Sequence, residues 1–248
     1  MQQLWFKDWF NSPYYHQLYK NRDDRESAYF IDKLINYLNP NPGSSMLDVA
    51  CGKGRHSIQL ANNDFDVTGI DLSEDSINEA LLSQSDTLHF YKHDMRLPFW
   101  INHFDYVFNF FTSFGYFNTQ LEHDNAIQTI AQAIKKNGIL VMDYLNVIHS
   151  EDCLVPQSEK EIDGIKFIIT KWHDKTHFYK KITIEDMILK EPIIYTEKVA
   201  KFSLNDYTEM FTRKGLQIQE VFGDYNFGNY DLKKSPRMVM VAKKINTF

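Results

Sequence analysis

Eight consecutive residues, Leu47-Asp48-Val49-Ala50-Cys51-Gly52-Lys53-Gly54, constrain this chain more than any other stretch. Apolar side chains (Met46, Leu47, Val49) carry a carboxylate, Asp48, to the mouth of a glycine-rich turn. A helix-like segment follows from Arg55 to Asn62. Asp66-Val67-Thr68-Gly69-Ile70-Asp71 then reads as a second strand that ends in another acid. Strand, glycine turn, helix and acid-terminated strand is the layout of a nucleoside-binding βαβ unit. Such a unit belongs to an open α/β sheet whose ligands lie beyond the carboxyl ends of the strands.

The loop chemistry discriminates between nucleoside ligands. Gly52 and Gly54 let the backbone turn tightly and approach a ligand with no Cβ in the way. A dinucleotide site wants a third glycine at position 57 and a helix N-terminus free for pyrophosphate. Position 57 is Ser57, and Asp48 before the turn would repel phosphate. A cationic ligand suits this loop better. S-adenosylmethionine carries a sulfonium and an ammonium and no phosphate, so the electrostatics favour it over NAD. Asp71 stands where an acid accepts from both ribose hydroxyls. Thr87–Lys92 and Phe104–Phe110 read as further strands, so Asp94 and Phe110 reach the same crevice. Asp94 is placed to accept from the adenine amino group, with Leu72 and Met95 as apolar faces for the ring; a helix cap is the simpler role for Asp94.

Four motifs in order now carry a resemblance. Asp-x-Ala-x-Gly-x-Gly, Gly-Ile-Asp-Leu-Ser, His-Asp-Met-Arg and Phe-Asp-Tyr-Val, across about residues 45–145, resemble the class I S-adenosylmethionine-dependent methyltransferases. That family often has Gly or Thr where this chain has Ala50 and Lys53. The resemblance implies cofactor contacts from Asp48, Ala50, Cys51, Gly52, Gly54, Asp71, Leu72, Asp94, Met95 and Phe110, with S-adenosylhomocysteine as product. Phe111-Thr112-Ser113-Phe114-Gly115-Tyr116 is similar to the segment after the fourth strand of N-methyltransferases that dimethylate amino sugars, which adds Ser113. The stretch from Tyr195 to Gly215 is similar as well. Those enzymes carry Tyr-Asp-x-x-Tyr and a following Arg near the N-terminus. Here Tyr15, Tyr19 and Arg22 match, with His16 in place of the acid.

Composition narrows the partner. The chain of 248 residues has a formal net charge of −6, which argues against a phosphate backbone as ligand. Its cations gather only near the C-terminus, at Lys233, Lys234, Arg237, Lys243 and Lys244, which reads as a solvated edge. Enzymes acting on base amines resemble one another in Asn/Asp-Pro-Pro-Tyr after the fourth strand, where this chain has Asn109-Phe110-Phe111-Thr112. Attack on cytosine C5 needs a cysteine there, and neither Cys51 nor Cys153 is in place. No apolar run approaches the roughly 20 residues that span a bilayer. Two cysteines do not suggest a disulfide framework, which points to a reduced, cytoplasmic setting. The expected partner is a small-molecule acceptor, with no nucleic acid and no membrane, and homodimer formation stays open.

Pattern and spacing lay out one α/β unit. Ala28, Ile31, Leu34, Ile35 and Leu38 predict a helix stopped by Asn39-Pro40, so residues 1–40 read as a helical cap. Residues 41–148 read as the cofactor-binding core. Its helix at Ile127, Ile130, Ala131 and Ile134 is closed by Asn137-Gly138, and Ile139–Tyr144 is a buried parallel strand. His149–Asp163 is polar and reads as a connector. Ile165–Trp172, Phe178–Leu189 and Ile193–Phe202 alternate, predicting about three antiparallel strands within an insertion over 149–203. Residues 204–248 add a helix and two strands. The expected fold is α/β: a Rossmann-like methyltransferase fold with a seven-stranded, mostly parallel sheet and an antiparallel β insertion after the fifth strand.

Several side chains admit two roles. Tyr15, Tyr19 and Arg22 are either packing residues of a terminal helix or a lid; aromatic faces attract a desolvated cation by about 0.5–2 kcal/mol each. Tyr116 and His123 follow the fourth strand and are the candidate catalytic groups for handling an acceptor proton, although His123, between Glu122 and Asp124, also fits a solvated helix turn. His173 and His177 bracket a turn without a carboxylate pair, and no metal site is assigned. Asp143 and Asn146 lack a companion acid at Asn109. The leading expectation is methyl transfer from S-adenosylmethionine to a small-molecule acceptor, an amine before other classes, by in-line displacement. A non-catalytic S-adenosylmethionine-binding module and an NAD-dependent reductase are the alternatives.

Overall fold

The computed structural model describes residues 5–20 and 24–245. Three helices come first: α1 (Trp5–Phe10), α2 (Pro13–Leu18) and α3 (Asp24–Leu38). They are followed by β1 (Ser45–Val49), α4 (Arg55–Ala61), β2 (Asp66–Asp71), α5 (Glu74–Ala80), β3 (Leu88–Lys92), β4 (Phe104–Asn109), α6 (Gln120–Ala133) and β5 (Ile134–Leu145). Next come α7 (Val147–Asp152), β6 (Gln157–Ile162), β7 (Ile165–His173), β8 (His177–Glu185) and β9 (Ile193–Ala200). α8 (Leu204–Thr212), β10 (Leu216–Phe222) and β11 (Arg237–Lys244) complete the chain.

Among the described residues two sheets form. The larger has seven strands in the order β10-β11-β5-β4-β1-β2-β3. β1 through β5 run parallel, whereas β11 pairs antiparallel with β5 and β10 antiparallel with β11. β1 pairs with β2 on one side and β4 on the other. The strand order therefore reverses beside β1, and a crevice opens beyond the carboxyl ends of β1 and β4. Met46, Leu47 and Val49 are buried because the sheet is covered on both faces. One cover includes α6 and α8, through residues such as Ile127, Ile130 and Phe211. The other includes α3, whose Phe30, Ile31 and Leu34 recur at helical spacing and are fully buried.

Two sequence expectations change. Asn137-Gly138 does not close α6, which ends at Ala133; it lies inside β5. The β4–β5 register shifts there, since Phe104 faces Ile134 while Tyr106 faces Ile139, and Asn137 takes φ 67°. The turn signal was real, and the chain uses it as a bulge. The expected connector over 149–163 contains α7 and β6, so the second sheet has four strands in the order β6-β7-β8-β9, not three. β6 is polar because it is an edge strand with little buried surface.

The small sheet and the first two helices share a core. Phe167, Ile169, Ile182 and Ile184 alternate along β7 and β8 and pack with Trp9 and Leu18. Polar contacts reinforce the join: Tyr14 Oη donates to Asp186 at 3.0 Å, and Gln17 and Lys20 both reach Asp163. Helices and inserted sheet thus form one wall over the crevice. Ile182 is fully buried in that core. Replacing it with Ala should cost about 2–5 kcal/mol in denaturant unfolding, the range for a buried aliphatic truncation. A loss below about 1 kcal/mol would show that the two elements do not pack as a unit.

Candidate active site

The loop after β1 is built from left-handed residues. Ala50, Gly52 and Gly54 have φ of 63°, 57° and 82°. Cys51 N donates to Ile70 O and Gly54 N to Cys51 O, both at 3.0 Å, which closes the turn against β2. At Gly52 a Cβ would meet nothing within 4 Å, so its glycine is required by conformation and leaves an opening. At Gly54 a Cβ would lie 2.5 Å from the Phe90 ring, so this glycine is required by packing as well.

Two acids converge on this loop. Asp48 is buried, and Ser57 Oγ donates to its Oδ2 at 2.7 Å. Burial, then the neighbouring charge of Asp71, raises its carboxyl from the ordinary 3.8 to about 7, against the Ser57 hydrogen bond. Asp71 accepts from Gly52 N at 2.9 Å through Oδ2 and from Ser73 N at 2.7 Å through Oδ1. Burial raises its carboxyl too, with those N–H groups opposing. Each Asp71 oxygen keeps capacity for a further donor. Lys53, the loop cation, pairs with Glu79 at 2.6 Å. Asp94 behaves differently. Burial opposes its ionisation, but Arg96 binds both its oxygens, at 3.0 Å and 2.6 Å, and holds it below the usual carboxylate range. Its lone pairs are largely committed to Arg96.

These groups border a cavity of about 520 Å³, a size suited to a small molecule. Asp48, Ala50, Cys51 and Gly52 line it from the β1 loop, and Asp71, Leu72, Asp94 and Met95 from the ends of β2 and β3. Phe110, Ser113 and Tyr116 line it after β4, and Tyr15 and Tyr19 close it from the helical cap. Gly54 lies beneath the loop against Phe90. His123 is not at the cavity: α6 turns its ring inward among Phe114, Phe117 and Phe202, where burial lowers its pKa. Its Nδ1 pairs with Thr119 O at 2.9 Å. Arg22 lies outside the described residues. Glu197 on β9, His56 and Phe111 also border the cavity, and sequence reasoning missed all three. No motif marks them. The alternation of β9 was the one available signal for an inward-facing Glu197.

The wall after β4 is strained and held from behind. Phe111 and Thr112 have φ of 55° and 57°, a conformation that costs non-glycine residues about 1–2 kcal/mol each. Asp143 Oδ2 accepts from Phe111 N at 2.7 Å, and Thr112 N donates to Asp143 O at 3.2 Å. Arg237 donates through Nε to Asp143 Oδ1 at 2.8 Å and through Nη2 to Thr112 Oγ1 at 2.8 Å. Tyr225 Oη donates to Asp143 Oδ2 at 2.9 Å. The clamped Phe111 ring stacks on His56 at 5.0 Å, with the Arg55 guanidinium 4.8 Å from its centroid. The C-terminal basic cluster is therefore not simply a solvated edge. Arg237 enters this network, and Lys244 is buried, donating to Asn102 Oδ1 at 3.0 Å and Ile134 O at 2.6 Å.

Comparison with known proteins places these features in context. Residues 40–215 match the family model described as a methyltransferase domain. The chain is 27% identical over 220 residues to the YqeM protein of Bacillus subtilis, covering 82% of this chain and 85% of that one. It is 33% identical over 125 residues to the dTDP-3-amino-3,4,6-trideoxy-alpha-D-glucopyranose N,N-dimethyltransferase of Streptomyces venezuelae, covering 50% and 52%. An S-adenosylmethionine-dependent methyltransferase from Clostridium acetobutylicum shares the fold with a TM-score of 0.77 at 16% identity, over 93% of this chain and 95% of that one.

Two outcomes test the site's internal chemistry. Asp143→Asn removes the counter-charge of Arg237, whose side chain is 20% exposed, and should cost about 1.5–3 kcal/mol in chemical denaturation; a loss under about 0.5 kcal/mol would show the clamp is not formed. Asp48 binds its proton more tightly folded than unfolded. Its contribution to stability is complete below the unfolded value of 3.8 and is lost as pH rises through about 7. Unfolding of the ligand-free Asp48→Asn protein should consequently depend less on pH across that window than the native chain does. Parallel stability–pH curves for the two proteins would refute this.

Proposed function

The chain belongs to the methyltransferase domain family and is an S-adenosylmethionine-dependent methyltransferase; on that premise we propose that its acceptor is a small-molecule amine. When bound, the cofactor supplies a methyl group made electrophilic by its sulfonium. The residues present fit it. Two acids whose ionisation is opposed by burial face one cavity, where a cationic ligand restores their charge, and the loop lysine is neutralised by Glu79. That pairing of Asp48 and Asp71 is the observation that carries the reading.

Each residue's part follows from its chemistry. Asp71 accepts from the ribose hydroxyls with the lone pairs left by Gly52 N and Ser73 N. Asp48 opposes the ligand's positive charge from beneath the loop. Leu72 and Met95 give apolar faces to the adenine, while Asp94 shapes that end through its ion pair with Arg96. Tyr15 and Tyr19 exclude water from the donor and present ring faces to a cation. In-line displacement asks the protein mainly for position. Tyr116, held edge-on by Trp5 and Phe10, is the candidate to take a hydrogen bond from the acceptor nitrogen and aim its lone pair. Likeness to an enzyme that dimethylates an amino sugar supports an amine over other acceptors. Among the described residues no helix is long and apolar enough to cross a membrane.

Calorimetric titration with S-adenosylhomocysteine tests the cofactor half. The native chain should bind it, and Asp71→Ala should weaken binding at least about tenfold through loss of charge-assisted hydrogen bonds. Unchanged affinity in that variant would remove Asp71 from the ribose. Release of S-adenosylhomocysteine over a panel of amines, carboxylates and phenols tests the other half; turnover confined to phenols or carboxylates would overturn the amine assignment.

A further inference from the structure

Resting on the reading above, we propose that Glu197 is an acceptor-recognising residue, binding a hydrogen-bond donor that the acceptor carries in addition to the nitrogen it presents for methylation. Glu197 stands on β9 of the inserted sheet and borders the same cavity as Asp48 and Asp71, and its side chain is 14% exposed. Three donors converge on a single oxygen. Trp9 Nε1 donates to Oε1 at 2.8 Å, Tyr19 Oη at 3.2 Å and Lys180 Nζ at 3.4 Å. Trp9 is fully buried, so its indole N–H needs this acceptor and holds it in place. Lys180, which also donates to Tyr19 Oη, forms an ion pair with the same oxygen.

The second oxygen is left over. Among the described residues no hydrogen bond reaches Oε2, and it is not one of the buried side-chain atoms lacking a partner. That oxygen is therefore not sealed off, and the residue that carries it borders the cavity. A carboxylate fixed through one oxygen and open at the other is a preorganised acceptor, satisfied by a hydroxyl or a protonated amine. It is poorly suited to the methylated nitrogen itself, because a carboxylate beside an amine favours the ammonium and occupies the lone pair that displacement requires. The substrate class that follows is a polar amine with a second donor, such as a hydroxylated amine. A purely apolar amine would leave Oε2 desolvated and unpaired.

The test uses the full chain loaded with S-adenosylhomocysteine and three probes: D-glucosamine, ethylenediamine and cyclohexylamine. Binding is followed by ligand-observed NMR in the native chain and Glu197→Gln. Glucosamine should weaken about tenfold or more in the variant, since a charge-assisted hydrogen bond is lost, while cyclohexylamine and S-adenosylhomocysteine should be unaffected. Loss of ethylenediamine alone would assign the subsite to a second ammonium, and loss of glucosamine alone to a hydroxyl; either supports the inference. Equal binding of every probe by the two proteins overturns it, as does failure of glucosamine and ethylenediamine to bind the loaded native chain. A parallel loss of S-adenosylhomocysteine would make Glu197 a cofactor residue and also overturn it. If the native chain itself fails to take up S-adenosylhomocysteine, the cofactor reading has failed first, and the two failures are thereby distinguished. Should Glu197→Gln not fold, Glu197→Asp, which withdraws the charge by one methylene, should show the same probe-selective loss.

Discussion

A carboxylate inside a parallel sheet is unfavourable unless something answers its charge, and Asp48 sits in that position. β1 is hydrogen-bonded on both edges and covered on both faces, so water cannot solvate the acid at its carboxyl end. Ser57 supplies one hydrogen bond, and Asp71 next to it adds repulsion. The ligand-free chain therefore keeps a carboxyl that ionises only near pH 7. A cation in the cavity relieves that frustration. Local strain at Ala50 and the opening left by Gly52 lie in the loop that follows this acid and borders the same cavity.

The opposite wall solves a different problem. Phe111 and Thr112 adopt backbone angles that side chains disfavour, and an isolated loop would relax out of them. Asp143 from β5, Arg237 from β11 and Tyr225 from the β10–β11 connection hold them there. An ion pair with one end buried and the other partly exposed is weak evidence of stability in itself. Here its two ends grip the backbone and side chain of the strained residues, and its clearest effect is to define where Phe111 and Ser113 stand. The antiparallel strand pair at the sheet edge thereby contributes to the cavity without touching it.

The third wall joins distant parts of the chain. The first two helices have little core of their own, and the inserted sheet has one apolar face; each covers the other. Polar contacts between them meet at Asp163, Asp186 and Glu197, all on the insertion or its turns. The cavity is thus lined in part by strand ends of the large sheet and in part by this separate unit; on the proposed reading the first holds the cofactor and the second meets the acceptor.

Short-range order was legible. Asp48, the glycine turn, Asp71, Asp94 and the helix ended before Pro40 follow from spacing and local chemistry, because a βαβ unit imposes its geometry within about thirty residues. The alternating strands of the insertion were visible for the same reason, and polar β6 escaped because an edge strand buries too little to leave a pattern. What tertiary structure alone decided is which distant residues meet. Arg237 reads as one of several terminal cations until antiparallel pairing sets it beside Tyr225 and Asp143. His123 reads as a candidate base until α6 turns it into the aromatic core, and Glu197 is marked by nothing beyond the alternation of β9 until Trp9 and Tyr19 fold onto it from the other end of the chain. Period and propensity act over a few residues, whereas burial and charge pairing act through space, so the glycine loop was written in the sequence and the wall built from the helical cap and inserted sheet was not.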